Sequence, residues 1–295
     1  MPRREVILPP ELDELVSEYE ARLRGTRMSQ LYRDYAVRMV RKYLAFCVEN
    51  GLDPRKAQSI MEYQNDMEGV WAATSARTFA YVLSGFFKKV GWPWPLERKE
   101  IPRGRPHRRP FYTEEEMELL LETAKRMGPK EYAIVRLARL LGLRRIEIRM
   151  LNVEDYQPPH LYIRAAKHGV SRWRRLDEET CRAIEEYLKW RGKRKERALF
   201  LSGRRGGRIT LRSLTRLLNR VRKEAGLYEK KPWAGFHAFR RGLVTELHKL
   251  GVSEKELQEW MGWQTPFMPH EYIRLVPTEV EEKITKVHPI YRRGG

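Results

Sequence analysis

Five prolines between residues 93 and 110 constrain the fold of this chain more than any other feature. Proline fixes φ and lacks the backbone N–H group, so the segment GWPWPLERKEIPRGRPHRRPF cannot form a regular helix. The 295 residues are enough for two hydrophobic cores. Prolines mixed with basic residues are typical of a stiff linker. We therefore predict a helical domain over 1–92, a basic linker over 93–111 and a second domain over 112–295.

Apolar residues recur at three- and four-residue steps on both sides of this linker, as in amphipathic helices. In the first domain this spacing predicts helices over 12–23, 31–48 and 73–87. In the second domain, capping boxes at Thr113 and Ser253 mark two helix starts, and further helices are predicted over 132–141, 177–191, 210–225 and 237–250. Strands over 161–164 and 171–176 flank a Lys-His-Gly turn and predict an antiparallel hairpin. The predicted fold class is mainly α with a small antiparallel β-sheet, which makes the second domain α+β.

The positive charge of the chain is concentrated in its second part. The formal net charge is +20, and the segment from Lys189 to Lys231 holds 16 basic residues but only 3 acidic ones. A charged face that is merely solvated would mix acids among the bases, so this pattern favours a polyanionic partner such as nucleic acid. No apolar run approaches the roughly 20 residues of a membrane span. The amino terminus does not resemble a signal peptide, and we expect a soluble, intracellular protein without membrane contact.

Metal and redox chemistry are not expected from the residue types present. The two cysteines, Cys47 and Cys181, lie far apart, and the seven histidines form no HExxH pattern. We therefore predict no metal site, no disulfide framework and no cofactor.

Two short motifs carry residues suited to phosphate chemistry. Gly142-Leu143-Arg144-Arg145-Ile146-Glu147 follows a predicted helix, and His237-Ala238-Phe239-Arg240 begins another. An arginine donates two hydrogen bonds at once to phosphate oxygens and keeps its charge. Because His237 and Arg240 are three residues apart, they lie on one helix face and can address the same phosphate.

The order of the motifs resembles the tyrosine recombinase (phage integrase) family, which includes Xer-type resolvases and the integrases of phages and archaeal viruses. The elements are GLRxxE, a lysine in a hairpin, HxxR, Gly-Trp and a tyrosine, in that order. The resemblance covers residues 113–295. Residues 1–105 match only as a helical domain of about the right size that is joined by a basic linker.

The resemblance implies a role for each matching residue that binds the phosphate. Arg144 and Arg240 are expected to bind the scissile phosphate, while Glu147 holds the guanidinium of Arg144 in place. Arg145 and Arg241 lie beside these arginines and are expected to support phosphate binding, with plain surface charge as the alternative.

The remaining matches concern proton transfer and attack. Lys167 is expected to protonate the 5′ oxygen that leaves, and His237 to donate to a phosphate oxygen or act as a base. Trp263 replaces the commoner histidine; its indole N–H can donate but cannot titrate. Tyr272 is expected to be the nucleophile, with Tyr291 as its nearest rival, and it can serve its own active site or that of a neighbour.

The resemblance also implies partners and a reaction. A C-shaped clamp of two domains would hold double-stranded DNA at a specific site, and a homotetramer would act on two such sites. Tyr272 would form a 3′-phosphotyrosyl link without metal or ATP, and a helix near 277–287 would contact the neighbouring subunit. The expected location is the cytoplasm of a prokaryote, in association with DNA, as for a recombinase of an archaeal or thermophilic mobile element. The residues expected to contact DNA elsewhere are Arg108, Arg109, Arg172, Arg174, Arg204, Arg205, Arg208 and Arg212.

Two other functions remain open from the sequence. A type IB topoisomerase-like enzyme would use the same chemistry as a monomer, without exchange between sites. A DNA-binding protein without catalytic activity would keep the fold for architecture or repression.

Overall fold

A computed structural model describes residues 7–68, 73–101, 109–166, 169–203, 206–266, 269 and 272–273. The chain divides into two compact units, Met1–His107 and Arg108–Gly295. The division therefore falls inside the segment predicted as the linker. Within the described ranges, no helix is long and apolar enough to cross a membrane.

The first unit is helical. Its helices are α1 (Pro10–Arg24), α2 (Gln30–Glu49), α3 (Ala57–Asp66) and α4 (Ala73–Val90). The short helix α3 was not predicted. Trp92 and Trp94 each place their ring 5.3 Å from that of the buried Phe87. The hydrophobic core thus extends past the end of α4, and the first residues of the predicted linker pack against the helical unit.

The second unit combines helices with one small sheet. Its helices are α5 (Glu114–Met127), α6 (Pro129–Leu141), α7 (Arg145–Met150), α8 (Glu178–Arg191), α9 (Leu211–Glu224), α10 (Phe236–Lys249) and α11 (Glu254–Met261). The strands are β1 (Tyr156–Gln157), β2 (His160–Ile163) and β3 (Arg172–Arg175), all antiparallel in the order β1-β2-β3. The predicted class, mainly α with a small antiparallel sheet, is confirmed. The structure adds β1 and α7, which are too short to show periodicity.

Helix α6 lies at the centre of the second unit and determines where the first motif is held. Its residues Ala133 to Val135 are fully buried, and the helix packs against α5, α8 and α10. Gly142 ends it in a left-handed conformation, with φ of 57°. A Cβ atom at Gly142 would lie only 3.4 Å from the Cα of Arg240 on α10. Close approach at this glycine therefore brings the GLR turn against the HxxR helix.

Candidate active site

Glu147 fixes the first arginine of the site. Arg144 precedes α7, and its backbone N–H donates to Oε2 of Glu147 at 2.6 Å. The Arg144 side chain donates to Oε1 of the same carboxylate, with Nη1 at 3.3 Å. Glu147 is 1% exposed, so water cannot compete for it. The carboxylate therefore restricts the position of the Arg144 guanidinium.

Arg240 is fully buried and connects two turns of the chain. Its Nη1 donates to the carbonyl of Gly142 and its Nη2 to that of Met261, both at 3.0 Å. Desolvation, and then the neighbouring charge of Arg144, lower the pKa of Arg240 to about 9, while Glu147 opposes this shift. The guanidinium is therefore still charged at neutral pH.

Trp263 and Tyr272 lie against the guanidinium of Arg240. Its Cζ is 5.0 Å from the ring centroid of Trp263 and 5.6 Å from that of Tyr272. The two rings lie 4.9 Å apart at 34°, and the Tyr272 carbonyl accepts from Thr245 Oγ1 at 3.5 Å. A guanidinium over aromatic faces is an attractive cation–π contact. The structure thus brings the predicted nucleophile next to the predicted phosphate-binding arginine of the same chain.

His237 lies in the first turn of α10, one turn before Arg240. It retains access to solvent. Even so, desolvation by the surrounding protein lowers its pKa, and the charges of Arg241, Arg240, Arg144 and Arg109 act in the same direction, bringing it to about 4. The imidazole is therefore neutral at physiological pH and has a lone pair with which to accept a proton.

Lys167 lies outside the described residues, but the two ends of its turn are described. Gly169 forms an antiparallel bridge with Trp263, and the N–H of Val170 donates to the carbonyl of Gly262 at 3.1 Å. The hairpin that carries the predicted lysine is therefore attached to the segment that carries Trp263.

Several buried donors of this cluster have no acceptor among the residues that the structure describes. They are Nε of Arg240, Nε1 of Trp263, and Nε and Nη2 of Arg172. Buried N–H groups are almost always paired, since leaving them unpaired costs stability. Donors that stay unpaired around excess positive charge are suited to bind an anion.

A family model described as the phage integrase family matches residues 110–279 of the chain. The chain belongs to the phage integrase family. The matched range includes Arg144, Arg240 and Tyr272, and the resemblance given by the motif order is confirmed.

Individual relatives of this integrase-family chain agree with the family match. Tyrosine recombinase XerC of Caldanaerobacter subterraneus is 29% identical over 199 residues, which are 65% of this chain and 55% of the relative. Tyrosine recombinase XerA of Pyrococcus furiosus is 24% identical over 259 residues, covering 85% of this chain and 87% of XerA. A lambda integrase tetramer bound to a Holliday junction gives a TM-score of 0.70 at 18% identity, covering 89% of this chain and 77% of that one. At this level of identity, the similarity to the lambda integrase structure shows a shared fold.

Three arginines predicted to contact DNA make hydrogen bonds within the integrase fold. Arg174 donates to the carbonyls of Trp260 and Glu259, with Nε–O and Nη2–O distances of 3.1 and 2.6 Å. Arg208 donates to the Arg149 carbonyl at 2.8 Å and to Oδ1 of Asn152 at 2.6 Å. Arg172 is buried against Glu147. These contacts depend on which side of each strand or loop faces inward, which the sequence does not show. DNA contact by these residues stays a prediction.

Of the other basic residues that were predicted to contact phosphate or DNA, the structure shows some hydrogen-bonded within the protein and others exposed to solvent. Arg145 donates to Oγ1 of Thr215 at 2.6 Å, and Arg241 donates to the Pro110 carbonyl at 2.9 Å. Arg109 and Arg212 are exposed. The predicted contacts of Arg108, Arg204 and Arg205 lie outside the described residues.

Gly262 lies close to the β2–β3 hairpin, and a methyl group at this position should disturb both the hairpin and the segment that carries Trp263. Its φ is +64°, and a Cβ would lie 2.8 Å from Nη1 of Arg172 and 2.9 Å from the carbonyl oxygen of Val170. For Gly262→Ala we expect a loss of about 1–2 kcal/mol from the left-handed backbone, with a further loss from the contact. Urea unfolding would measure it.

Gly226 provides the matched control for this substitution. Its φ is +67°, and a Cβ there would meet nothing within 4 Å. Gly226→Ala should therefore show the backbone cost without the steric cost. Equal free energies of unfolding for the two variants would contradict the close approach at Gly262.

Proposed function

We propose that this chain is a site-specific DNA recombinase that cuts and rejoins strands through a 3′-phosphotyrosyl link to Tyr272. The observation that carries the proposal is the position of the Tyr272 ring against Arg240, in a pocket of buried N–H donors. A phosphodiester is negatively charged, and attack on it places more charge on its non-bridging oxygens. The pocket supplies positive charge at the site where the nucleophile lies.

In the proposed reaction, the Tyr272 oxygen attacks phosphorus and displaces the 5′ oxygen of the next nucleotide. Arg144 and Arg240 donate to the non-bridging oxygens, and Trp263 adds a neutral donor. Neutral His237 can accept the phenol proton, and Lys167 is proposed to protonate the oxygen that leaves. The free 5′ hydroxyl of a partner strand then reverses the step. Bond energy is conserved in the link, and the charge is neutralised by side chains, so the reaction needs neither ATP nor a metal ion.

The proposed substrate is double-stranded DNA at a specific site, and the proposed assembly is a tetramer on two sites. The excess of basic residues between Lys189 and Lys231 supports a DNA partner. The lambda integrase tetramer on a Holliday junction, which shares the fold, supports the assembly. We propose further that residues 1–92 form a second DNA-binding domain, that the segment over 93–111 links it to the catalytic domain, and that the protein acts on DNA inside the cell.

We also propose that Tyr272 acts in the active site of its own chain, because its ring packs on Trp263 and Arg240 of that chain. Mixing a variant that lacks the nucleophile with one that lacks Arg240 tests this. If each site uses its own tyrosine, the mixture forms no covalent adduct. Adduct formation in the mixture would show that tyrosine is delivered between subunits.

A two-site exchange assay distinguishes recombination from the open alternatives. Two labelled duplexes that carry the target site are incubated with the protein, and both strand exchange and supercoil relaxation are followed. The proposal predicts recombinant duplexes with label from both parents. Relaxation without exchange would indicate a topoisomerase-like enzyme, and DNA binding without a covalent adduct would indicate a non-catalytic protein.

The histidine beside the arginines should titrate far below its ordinary range. We expect the ring of His237 to take up a proton only as the pH falls through about 4, compared with the ordinary value of 6.5. Because the unfolded chain takes up that proton first, the stability contributed by His237 is full above 6.5 and is lost as the pH falls toward 4. Proton–carbon NMR of the imidazole, assigned with His237→Gln, would measure the pKa.

Bound DNA should raise this pKa, because a phosphate offsets the arginine charges that oppose protonation. A duplex that contains the site is the ligand, and a duplex of unrelated sequence is the control. A midpoint near 6.5 in the free protein would contradict the proposed electrostatics of the site.

A further inference from the structure

Arg172 is a buried cation that none of the proposed reaction steps uses. It is the first residue of β3, paired with Ile163 of β2, and its side chain is 6% exposed. Its neighbour Trp173 points to the other face of the strand and is exposed. Burying a guanidinium is costly unless it is paired and hydrogen-bonded. The partners of its guanidinium therefore determine how well the buried charge is stabilised.

The contacts of Arg172 leave most of its donors without a partner. Nη1 lies 3.4 Å from Oε1 of Glu147 and 3.3 Å from the carbonyl of Val170. Nε and Nη2 are buried and have no acceptor in the described part of the chain. An arginine that merely held the fold together would be expected to satisfy its donors with protein carbonyls. Arg191, equally buried, pairs both of its terminal nitrogens with carbonyls: Nη1 donates to that of Gly192, and Nη2 to those of Glu196 and Ala198. Like Arg172 it leaves Nε without an acceptor in the described part of the chain, so the unpaired Nη2 is what distinguishes Arg172.

The charges around Glu147 do not balance. The same carboxylate serves three arginines: Nη1 of Arg144 at 3.3 Å, Nη1 of Arg172 at 3.4 Å and Nη1 of Arg240 at 4.0 Å. One negative charge therefore faces three positive charges in a desolvated region. Because like charges at short range repel strongly when buried, this excess is stabilised when an anion enters.

The position of Arg172 also connects the parts of the site. Its Nη1 lies against Gly262, which precedes Trp263, and the Lys167 turn precedes β3 on the same hairpin. Through Oε1 of Glu147 it contacts the group that orients Arg144. A substitution at Arg172 would therefore alter the contacts of the elements that carry the proposed catalytic groups.

We propose that Arg172 is a positioning residue of the phosphate pocket, which holds Glu147 against Arg144 and adds a third positive charge to the field at the scissile phosphate. This inference rests on the proposed function. It predicts that the need for Arg172 depends on the charge of the phosphate, whereas a purely structural residue would be needed equally for any substrate.

The test compares Arg172→Met with wild type on two suicide substrates. One carries the natural scissile phosphate, and the other carries a neutral methylphosphonate at the same position. We expect Arg172→Met to form the covalent adduct on the order of 100-fold more slowly on the phosphate, as for removal of one preorganised donor. On the methylphosphonate substrate, Arg172→Met should be less than about 10-fold slower than wild type, because less charge has to be stabilised. Arg191→Met, which replaces a buried arginine of the same unit, serves as the control. Its rate of adduct formation relative to wild type should be the same on both substrates.

The outcomes separate this inference from the proposed function. If wild type forms no adduct that depends on Tyr272, the proposed function fails. If wild type reacts and folded Arg172→Met either matches it on the phosphate or is equally impaired on both substrates, only the role of Arg172 is overturned. Should the Met variant not fold, Arg172→Lys and Arg172→Gln decide the matter. Arg172→Lys, which keeps the positive charge, should form the adduct on the phosphate substrate faster than Arg172→Gln. Equal rates for these two variants would overturn the proposal.

Discussion

Arg240→Lys should lower the rate of covalent strand cleavage by about 100- to 1000-fold, the loss typical when one preorganised donor to a transition state is removed. The guanidinium binds the carbonyls of Gly142 and Met261 and still has a free Nε in the described structure. Lysine offers a compact charge that cannot span two carbonyls and a phosphate at once. Single-turnover kinetics on a suicide substrate would measure the rate.

The control for Arg240→Lys must separate chemistry from folding, because Arg240 is also buried. Arg222→Lys serves, since Arg222 is 2% exposed and donates to the carbonyls of Tyr228 and Lys231, and it has no part in the proposed chemistry. Both variants should lose stability, but only Arg240→Lys should lose rate per folded molecule. A cleavage rate for folded Arg240→Lys close to that of wild type would contradict the proposed phosphate contact.

Tyr272→Phe should abolish the covalent adduct while leaving DNA affinity unchanged. Phenylalanine keeps the ring that packs 4.9 Å from Trp263 and 5.6 Å from Arg240, so only the attacking oxygen is lost. Denaturing gel electrophoresis after incubation with a suicide substrate detects the adduct, and a mobility-shift assay measures binding. Thermal unfolding should show nearly the same stability as wild type.

Tyr291→Phe is the natural control for the nucleophile, because Tyr291 is the rival nearest in sequence. This variant should form the adduct at the rate of wild type. An adduct that persists in Tyr272→Phe and disappears in Tyr291→Phe would reverse the assignment.

The sequence predicts those parts of the fold whose information is local. Thr113 and Ser253 both form the predicted capping boxes, with Glu116 and Glu256 as the reciprocal partners. Helix α7 has six residues and β1 has two, so neither spans enough residues for a period to be recognised. The grouping of Arg144, Arg240 and Tyr272 into one expected site came from the family resemblance, because no local pattern relates residues so far apart in sequence.

The role of Arg172 could not be predicted because it depends on tertiary packing. In the strand sequence Arg172-Trp173-Arg174-Arg175, alternation shows that neighbouring side chains face opposite sides. It does not show which side is covered, and a tryptophan is the more obvious candidate for burial. The structure buries Arg172, which contacts the carboxylate of Glu147, and exposes Trp173. The sharing of Glu147 by three arginines is likewise a property of residues far apart in sequence.

The position of the covalent link on the protein shows whether Tyr272 is the nucleophile. Wild-type protein is trapped on a suicide substrate, the DNA is digested to a short stub, and tandem mass spectrometry locates the modified residue. We expect a nucleotide joined through its 3′ phosphate to the phenol oxygen of Tyr272. A nucleotide on any other side chain, or on the 5′ side of the break, would contradict it.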